Sequence, residues 1–140
     1  MKLNSICTLV IFATAILTSC SSPMQPEDLN GYWEITSVTL EDGTERDYTV
    51  NAVVDFIELN GSNGTRSKVK PQFDGSFIKN SATEEFSLEQ GDEFILAYKT
   101  PYDAWEEEIL ELSSDKMRVK NRDGKVFTYK TFTPFSLKTK

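Results

Sequence analysis

The chain has 140 residues and a formal net charge of −7, from 22 acidic and 15 basic side chains. This acidic balance argues against nucleic-acid binding and against electrostatic binding to anionic lipid headgroups. The sequence contains no histidine, which excludes Ser-His-Asp and Cys-His catalytic groups and every histidine-based metal site. We therefore expect a protein that is not an enzyme, with no catalytic residues, no metal site and no cofactor.

Residues 1–19 have the pattern of a secretory signal peptide. Lys2 precedes an apolar run, Ile6 to Leu17, that is shorter than the roughly 20 residues of a bilayer-spanning helix. The run ends in Leu17-Thr18-Ser19-Cys20, which resembles the lipobox of bacterial lipoproteins. The resemblance implies that Cys20 carries the lipid and that this anchor makes the membrane a partner. It also implies a location in the cell envelope, at the outer membrane because Ser21 rather than Asp follows the cysteine.

The mature chain, residues 20–140, retains no thiol for a disulfide, so the domain must be held together by its core. Residues 21–28 (SSPMQPED) contain two prolines and little to bury. We predict the acylated cysteine and a flexible tether at 20–28, a single domain at 29–134 and a C-terminal tail at 135–140.

From Leu29 onward, short runs rich in Val, Ile, Phe, Tyr and Thr are separated by turn dipeptides such as Asp42-Gly43 and Asp74-Gly75. This pattern predicts an antiparallel sandwich or barrel. We assign strands to residues 32–40, 50–59, 65–70, 76–79, 84–89, 92–99, 106–112, 116–121 and 125–133.

The last hairpin has a predictable register. A three-residue loop at 122–124, with Gly124 in the left-handed conformation, places Val119 opposite Phe127 and Met117 opposite Tyr129. These pairs form one continuous apolar face, whereas a slip of one residue would reverse every side chain. We therefore expect this register.

The segment DAWEEEILEL, residues 103–112, fits either a helix that starts with a capping box or a strand. As a strand with a turn at Ser114-Asp115, it sets Leu110 opposite Val119, Leu112 opposite Met117 and Glu111 opposite Arg118. We favour the strand because its apolar and charged positions then match those of the next strand.

The opening of the domain, LNGYWEI at 29–35, contains the Gly-x-Trp pattern that begins the first strand in lipocalins. Its end, ILELSSDKMRVKNRDGKVFTYKTF, looks like the closing hairpins of the small lipocalin-like domains of bacterial lipoproteins. The resemblance implies an all-β, antiparallel up-and-down β-barrel of about eight strands, closed at one end, that can hold a small apolar molecule. Lipocalins usually set a late arginine against the first tryptophan. No arginine follows Arg122, so we predict that Lys130 or another late cation covers Trp33.

Two functions follow from this expected fold. In the first, the barrel binds a small hydrophobic molecule; in the second, a filled barrel docks an envelope protein through its surface. The candidate ligand-binding residues of the barrel interior are Trp33, Ile35, Leu110, Leu112, Met117, Val119, Phe127 and Tyr129.

Arg66, Lys68 and Lys70 alternate along one predicted strand and so share a face. They could form an anion site inside the barrel, facing Asp55, or a solvated outer face with Ser67 and Val69 pointing inward. We favour the outer face, because charged residues commonly protect strand edges.

Tyr102 and Trp105 flank a loop with a proline at position 101. They fit either a lid over an open mouth or an exposed surface that binds a partner. The sequence does not separate these two interpretations.

Overall fold

The computed structural model describes residues 22–79 and 82–136. The predicted signal peptide, Cys20 and the last four residues of the tail lie outside these ranges. Within them, the chain forms a short 3₁₀ helix, Pro26–Leu29, followed by ten strands. The strands are β1 Gly31–Thr39, β2 Glu45–Asp47, β3 Val54–Asn60, β4 Asn63–Pro71, β5 Phe77–Lys79, β6 Glu84–Gln90, β7 Phe94–Lys99, β8 Ala104–Leu112, β9 Lys116–Lys120 and β10 Val126–Thr131.

Eight of these strands close into a barrel. Neighbours pair antiparallel in the order β10-β9-β8-β7-β6-β4-β3-β1, and β10 also pairs with β1. The short strands β2 and β5 lie off this ring. Strand β2 pairs with the C-terminal end of β1, and β5 pairs with the C-terminal end of β4. The predicted all-β, up-and-down, lipocalin-like barrel is confirmed.

Every predicted strand is present, with ends shifted by a few residues. Residues 104–112 form a strand, as favoured, and not a helix. Strand β2 was not predicted, and its three residues are all exposed. The sequence of β2 therefore lacks the alternation between apolar and polar residues on which strand prediction depends.

The closing hairpin has the predicted register. Val119 lies opposite Phe127 and Met117 opposite Tyr129. Gly124 has a φ of 73°, the left-handed conformation that glycine adopts without strain. The Asn121 amide donates to the Lys125 carbonyl at 2.9 Å, which leaves a loop of three residues, as predicted.

A β-bulge changes the expected register of β8. The pairing with β9 shifts between Ile109 and Glu111, so Ile109 rather than Leu110 lies opposite Val119. The predicted pairs Leu112–Met117 and Glu111–Arg118 are present beyond the bulge. Leu110 is 38% exposed, so its prediction as an interior residue is wrong. The extra residue of the bulge turns Leu110 outward.

The 3₁₀ helix closes one end of the barrel. Leu29 is completely buried, and its carbonyl accepts a 2.9 Å hydrogen bond from Trp33 Nε1. Met24 also packs against the core. The chain therefore joins the barrel's packing at Met24, five residues before the boundary predicted from the sequence.

The prediction of a late cation over Trp33 is wrong, because neither Lys130 nor another described cation late in the chain makes a cation–π contact with this ring. Lys130 lies opposite Glu34, and its Nζ is 3.5 Å from Glu34 Oε2. Successive residues of a strand face opposite sides of the sheet, so Glu34 and Lys130 lie outside while Trp33 points into the core. The indole gains its polar contact from the Leu29 carbonyl instead.

Six aromatic rings form a second apolar group outside the barrel, which we call the outer aromatic cluster. Tyr32 stacks on Phe56 and Phe77, with ring centroids 4.6 and 4.1 Å apart. Phe132 and Phe135, which follow β10, extend the contacts. The cluster consists of Tyr32, Phe56, Phe73, Phe77, Phe132 and Phe135. It covers the outer face of β1 and β3.

Candidate functional site

The closed half of the barrel is a packed core. Leu29, Trp33, Ile57 and Leu96 are at most 2% exposed. Of the predicted interior residues, Trp33, Leu112, Met117 and Val119 belong to this core. These four side chains pack against one another and stabilise the fold.

The other predicted interior residues lie nearer the open end. Ile35, Phe127 and Tyr129 are half-buried. Ile35 lies opposite Tyr129, and Val38 lies opposite Phe127. The structure thus brings these three candidates together around the mouth.

A charged cluster, the Arg66 network, crosses the barrel interior. Arg66 on β4 contacts Glu84 on β6 through Nε and Nη2, both at 3.0 Å from Oε2. Its Nη1 is 2.9 Å from Glu107 Oε2 on β8. The Arg66 and Glu107 side chains are 16% and 13% exposed. The network is therefore largely removed from bulk water, and its buried ion pairs are screened less than exposed ones.

Tyr98 lies beside this network. The Arg66 guanidinium carbon is 4.4 Å from the centroid of the Tyr98 ring, a cation–π contact. Burial alone would lower the pKa of Arg66, but Tyr98 and the nearby carboxylates raise it. Burial raises the pKa of Tyr98. The Tyr98 hydroxyl is buried and has no hydrogen-bond partner in the described part of the chain.

Lys68 faces inward with Arg66. It lies opposite Asp55 and forms an ion pair with that buried carboxylate. The interpretation of this face as the solvated outside of the barrel was therefore wrong. Ser67 and Val69 are buried on the other side of the strand, where they line a cavity with Phe77 of β5. The inward cations do not form the alternative, an open anion site, because carboxylates already neutralise Arg66 and Lys68.

Tyr129 reaches the same polar region. Burial raises its pKa, and the Asp55 carboxylate raises it further. The neutral phenol is therefore the stable form in the folded barrel.

Trp105 forms the wall of a recess at the open end. Its ring stacks on Tyr98, with centroids 5.0 Å apart and planes 8° from parallel. The recess has a volume of about 310 Å³ and is lined by Asp103, Trp105, Glu107, Asn121, Arg122 and Asp123. Tyr102 is 97% exposed. Of the two loop aromatics, only Trp105 therefore takes part in the mouth.

Within this recess, Arg122 is already paired. Its Nη2 donates to Asp103 Oδ2 at 3.0 Å, and this bond lowers the pKa of Asp103. The side-chain oxygen Asn121 Oδ1 accepts from the backbone amides of Asp123 and Lys125, each at 3.0 Å. Glu107 is paired with Arg66, so the side chains of the recess that remain available are the Trp105 indole and the Asp123 carboxylate.

Another cavity, of about 790 Å³, lies mainly on the outer face of β6 to β9. Ser87, Ile95 and Ala97 contribute to its lining. They alternate along their strands with the buried Phe86, Leu88, Leu96 and Tyr98. This cavity is therefore a depression in the outside of the sheet.

The part of the chain that the structure describes contains no cluster of three Asp, Glu, His or Cys side chains arranged to hold a metal ion. Nor do these residues include a helix with the length and apolar character needed to cross a membrane.

Three solved structures resemble this chain. One is a lipocalin-like protein from Bacteroides uniformis with 17% identity, a TM-score of 0.47 and coverage of 75% of this chain and 99% of the other. The second, a protein from Bacteroides eggerthii, has 12% identity, a TM-score of 0.47 and coverages of 74% and 99%. The third, lobster apocrustacyanin A1, has 12% identity, a TM-score of 0.46 and coverages of 80% and 65%.

A search of curated proteins finds no match. The family model for the lipocalin-like domain matches residues 29–119, well over half of the chain. Its matched segment begins at the buried Leu29 and ends at Val119 in β9. The chain therefore belongs to the family of lipocalin-like domains.

Proposed function

We propose that this protein is a cell-envelope lipoprotein, anchored through Cys20, whose lipocalin-like barrel binds a small molecule at its open end. The site of binding follows from the contrast between the two halves of the barrel. The closed half is filled by core side chains such as Trp33 and Ile57. The open half presents half-buried aromatic and charged groups.

The observation that carries this proposal is the set of half-buried aromatics at the mouth. Trp105 lies on the inner side of β8, and Phe127 and Tyr129 lie on the inner side of β10. The Arg66 network supplies converging polar groups next to them. Apolar walls with a few converging polar groups are typical of sites for small molecules. The ligand should therefore combine an apolar body with polar groups.

The binding function can be tested on protein purified from its native envelope. Native mass spectrometry should show a small-molecule adduct on the folded chain. Phe127→Ala should weaken or abolish the adduct, because it removes part of the mouth wall. Phe73→Ala is the matched control, since Phe73 is 83% exposed on the outside of the barrel. The proposal would be contradicted if the native barrel carried no adduct. It would also be contradicted if Phe127→Ala retained the adduct unchanged.

The anchor needs a separate experiment. Cys20→Ala should move the protein from the membrane fraction to the soluble fraction, because the acyl chains supply the membrane affinity. Cys7→Ala is the control, since this cysteine lies inside the predicted signal peptide and should leave anchoring intact. A Cys20→Ala protein that stays with washed membranes would show that the anchor lies elsewhere.

One observation favours a second candidate function, the docking of another envelope protein. Phe73 and Phe135 of the outer aromatic cluster are 83% and 49% exposed, and their ring centroids are 5.8 Å apart. Exposed aromatic groups of this kind are enriched at protein interfaces. Cross-linking in the native envelope should capture a partner that the double variant Phe73→Ser, Phe135→Ser loses. Tyr102→Ser, a change at an aromatic that is 97% exposed but lies outside the cluster, should retain it.

A further inference from the structure

We infer that the recess beside Trp105 binds a planar organic cation. This inference rests on the proposed function and specifies the chemical class of its ligand. It depends on the shape of the recess, on the charges of its walls and on the hydrogen-bonding groups already occupied there.

The flat wall of the recess is the Trp105 indole. The ring is held in place by its parallel stack on Tyr98, and Tyr98 in turn carries Arg66 over its own ring. A ring fixed in this way loses little conformational entropy when a second flat molecule stacks on it. Among aromatic side chains, tryptophan also attracts cations most strongly.

The charges of the recess select the sign of the ligand. Three carboxylates, Asp103, Glu107 and Asp123, line it together with one guanidinium, Arg122. Asp103 is paired with Arg122, and Glu107 is paired with Arg66, so the uncompensated charge of the recess is that of Asp123. An anionic ligand would meet a net repulsion there, whereas a cation would be attracted.

The hydrogen-bonding groups point the same way. Arg122 donates to Asp103, and Asn121 accepts from the amides of its own loop. The Asp123 carboxylate has no ion pair within the described residues, so it is free to accept. The available groups thus favour a ligand that donates hydrogen bonds.

The test uses three flat bicyclic probes on the full chain at pH 7. The probes are N-methylquinolinium, the uncharged quinoline and the anionic 1-naphthoate, compared by isothermal titration calorimetry. We expect the cation to bind about tenfold more tightly than quinoline, and naphthoate to bind most weakly. Raising the salt concentration should reduce this preference, because exposed charges are then screened.

Two variants locate the binding. Trp105→Leu should weaken N-methylquinolinium binding about tenfold by removing the stacking surface. Asp123→Asn should weaken N-methylquinolinium binding about threefold and leave quinoline binding unchanged, since it removes a charge at an exposed position. Asp92→Asn is the control, because it removes the same charge from the turn at the closed end. Circular dichroism checks that each variant is folded.

The outcomes separate this inference from the proposed function. If quinoline or naphthoate binds as tightly as the cation, or if no probe binds, the inference of a planar cation is wrong. If Asp92→Asn matches Asp123→Asn, the recess is not the binding site. In each case the native adduct and its loss in Phe127→Ala still decide whether the open end binds a small molecule.

Discussion

Replacing Arg66 with methionine should destabilise the barrel by about 3 kcal/mol. Removing one partner of a buried ion pair typically costs about 3–5 kcal/mol, because the other charge stays buried without compensation. Here the Glu107 side chain is 13% exposed, but Glu84 is 37% exposed and remains partly hydrated. Methionine also keeps the apolar part of the side chain. We therefore expect the lower end of that range.

Urea denaturation followed by circular dichroism at pH 7 measures the effect. With an m-value of about 1.5 kcal/mol/M, the midpoint should fall by about 2 M. Lys120→Met is the matched control, since it breaks an ion pair with Glu108 in which Lys120 is 44% exposed. This control should lose less than about 1 kcal/mol.

A second variant tests the reason for the loss. Adding Glu107→Gln to Arg66→Met removes the carboxylate left without its partner, so part of the stability should return. The reasoning is refuted if Arg66→Met shifts the midpoint no more than Lys120→Met. It is also refuted if the double variant is as unstable as Arg66→Met alone.

Three further changes give outcomes of different sign. Gly64→Ala should destabilise by about 1–3 kcal/mol, because the added Cβ would lie 2.3 Å from the Phe86 ring and 2.7 Å from the Glu58 carbonyl oxygen. Tyr98→Phe should leave stability unchanged or raise it by about 1 kcal/mol in urea, since the buried hydroxyl has no partner among the described residues. Stability should also fall as the pH rises above about 10, because burial raises the pKa of Tyr98 and Tyr129. The folded barrel then keeps protons that the unfolded chain releases, so this contribution is complete below pH 10 and lost above it.

Each of these expectations has a contradicting result. Gly91→Ala, where an added Cβ meets open space, is the control for Gly64→Ala, and equal losses would refute the steric argument. A Tyr98→Phe protein that is clearly less stable would show that the hydroxyl has a bonding partner. A urea midpoint that stays constant from pH 8 to 11 would contradict the contribution of the two tyrosines.

Local sequence information was sufficient for most of the barrel. Gly124 fixes the loop of the last hairpin, and the alternation of apolar residues around Val119 and Phe127 selects its register. The bulge in β8 could not be predicted in this way. Ile109 and Leu110 are both apolar, so either can fill the position opposite Val119, and only packing in three dimensions selects Ile109.

The charged residues of the site could not be placed from the sequence, for a different reason. Arg66 and Glu107 are 41 residues apart in the chain and meet only when the barrel closes. The pattern Arg-Ser-Lys-Val-Lys also predicts a strand with its charges in solvent. In the structure the strand has the opposite orientation, with Ser67 and Val69 on the outer side of β4, where they line a cavity with Phe77 of β5. The interior positions Trp33, Leu112, Met117 and Val119 were correctly predicted because burial of large apolar groups dominates them.

The packing of Met24 and Leu29 at the closed end has a consequence for how the protein is oriented. If Cys20 carries the lipid as proposed, three residues separate the anchor from Met24, and the four Cα-to-Cα steps between them reach roughly 14 Å. The bilayer would then adjoin the closed end, and the mouth with its Trp105 recess would point away from the lipid surface. A ligand would therefore enter from the aqueous compartment, and molecules dissolved in the membrane would have no direct route to it.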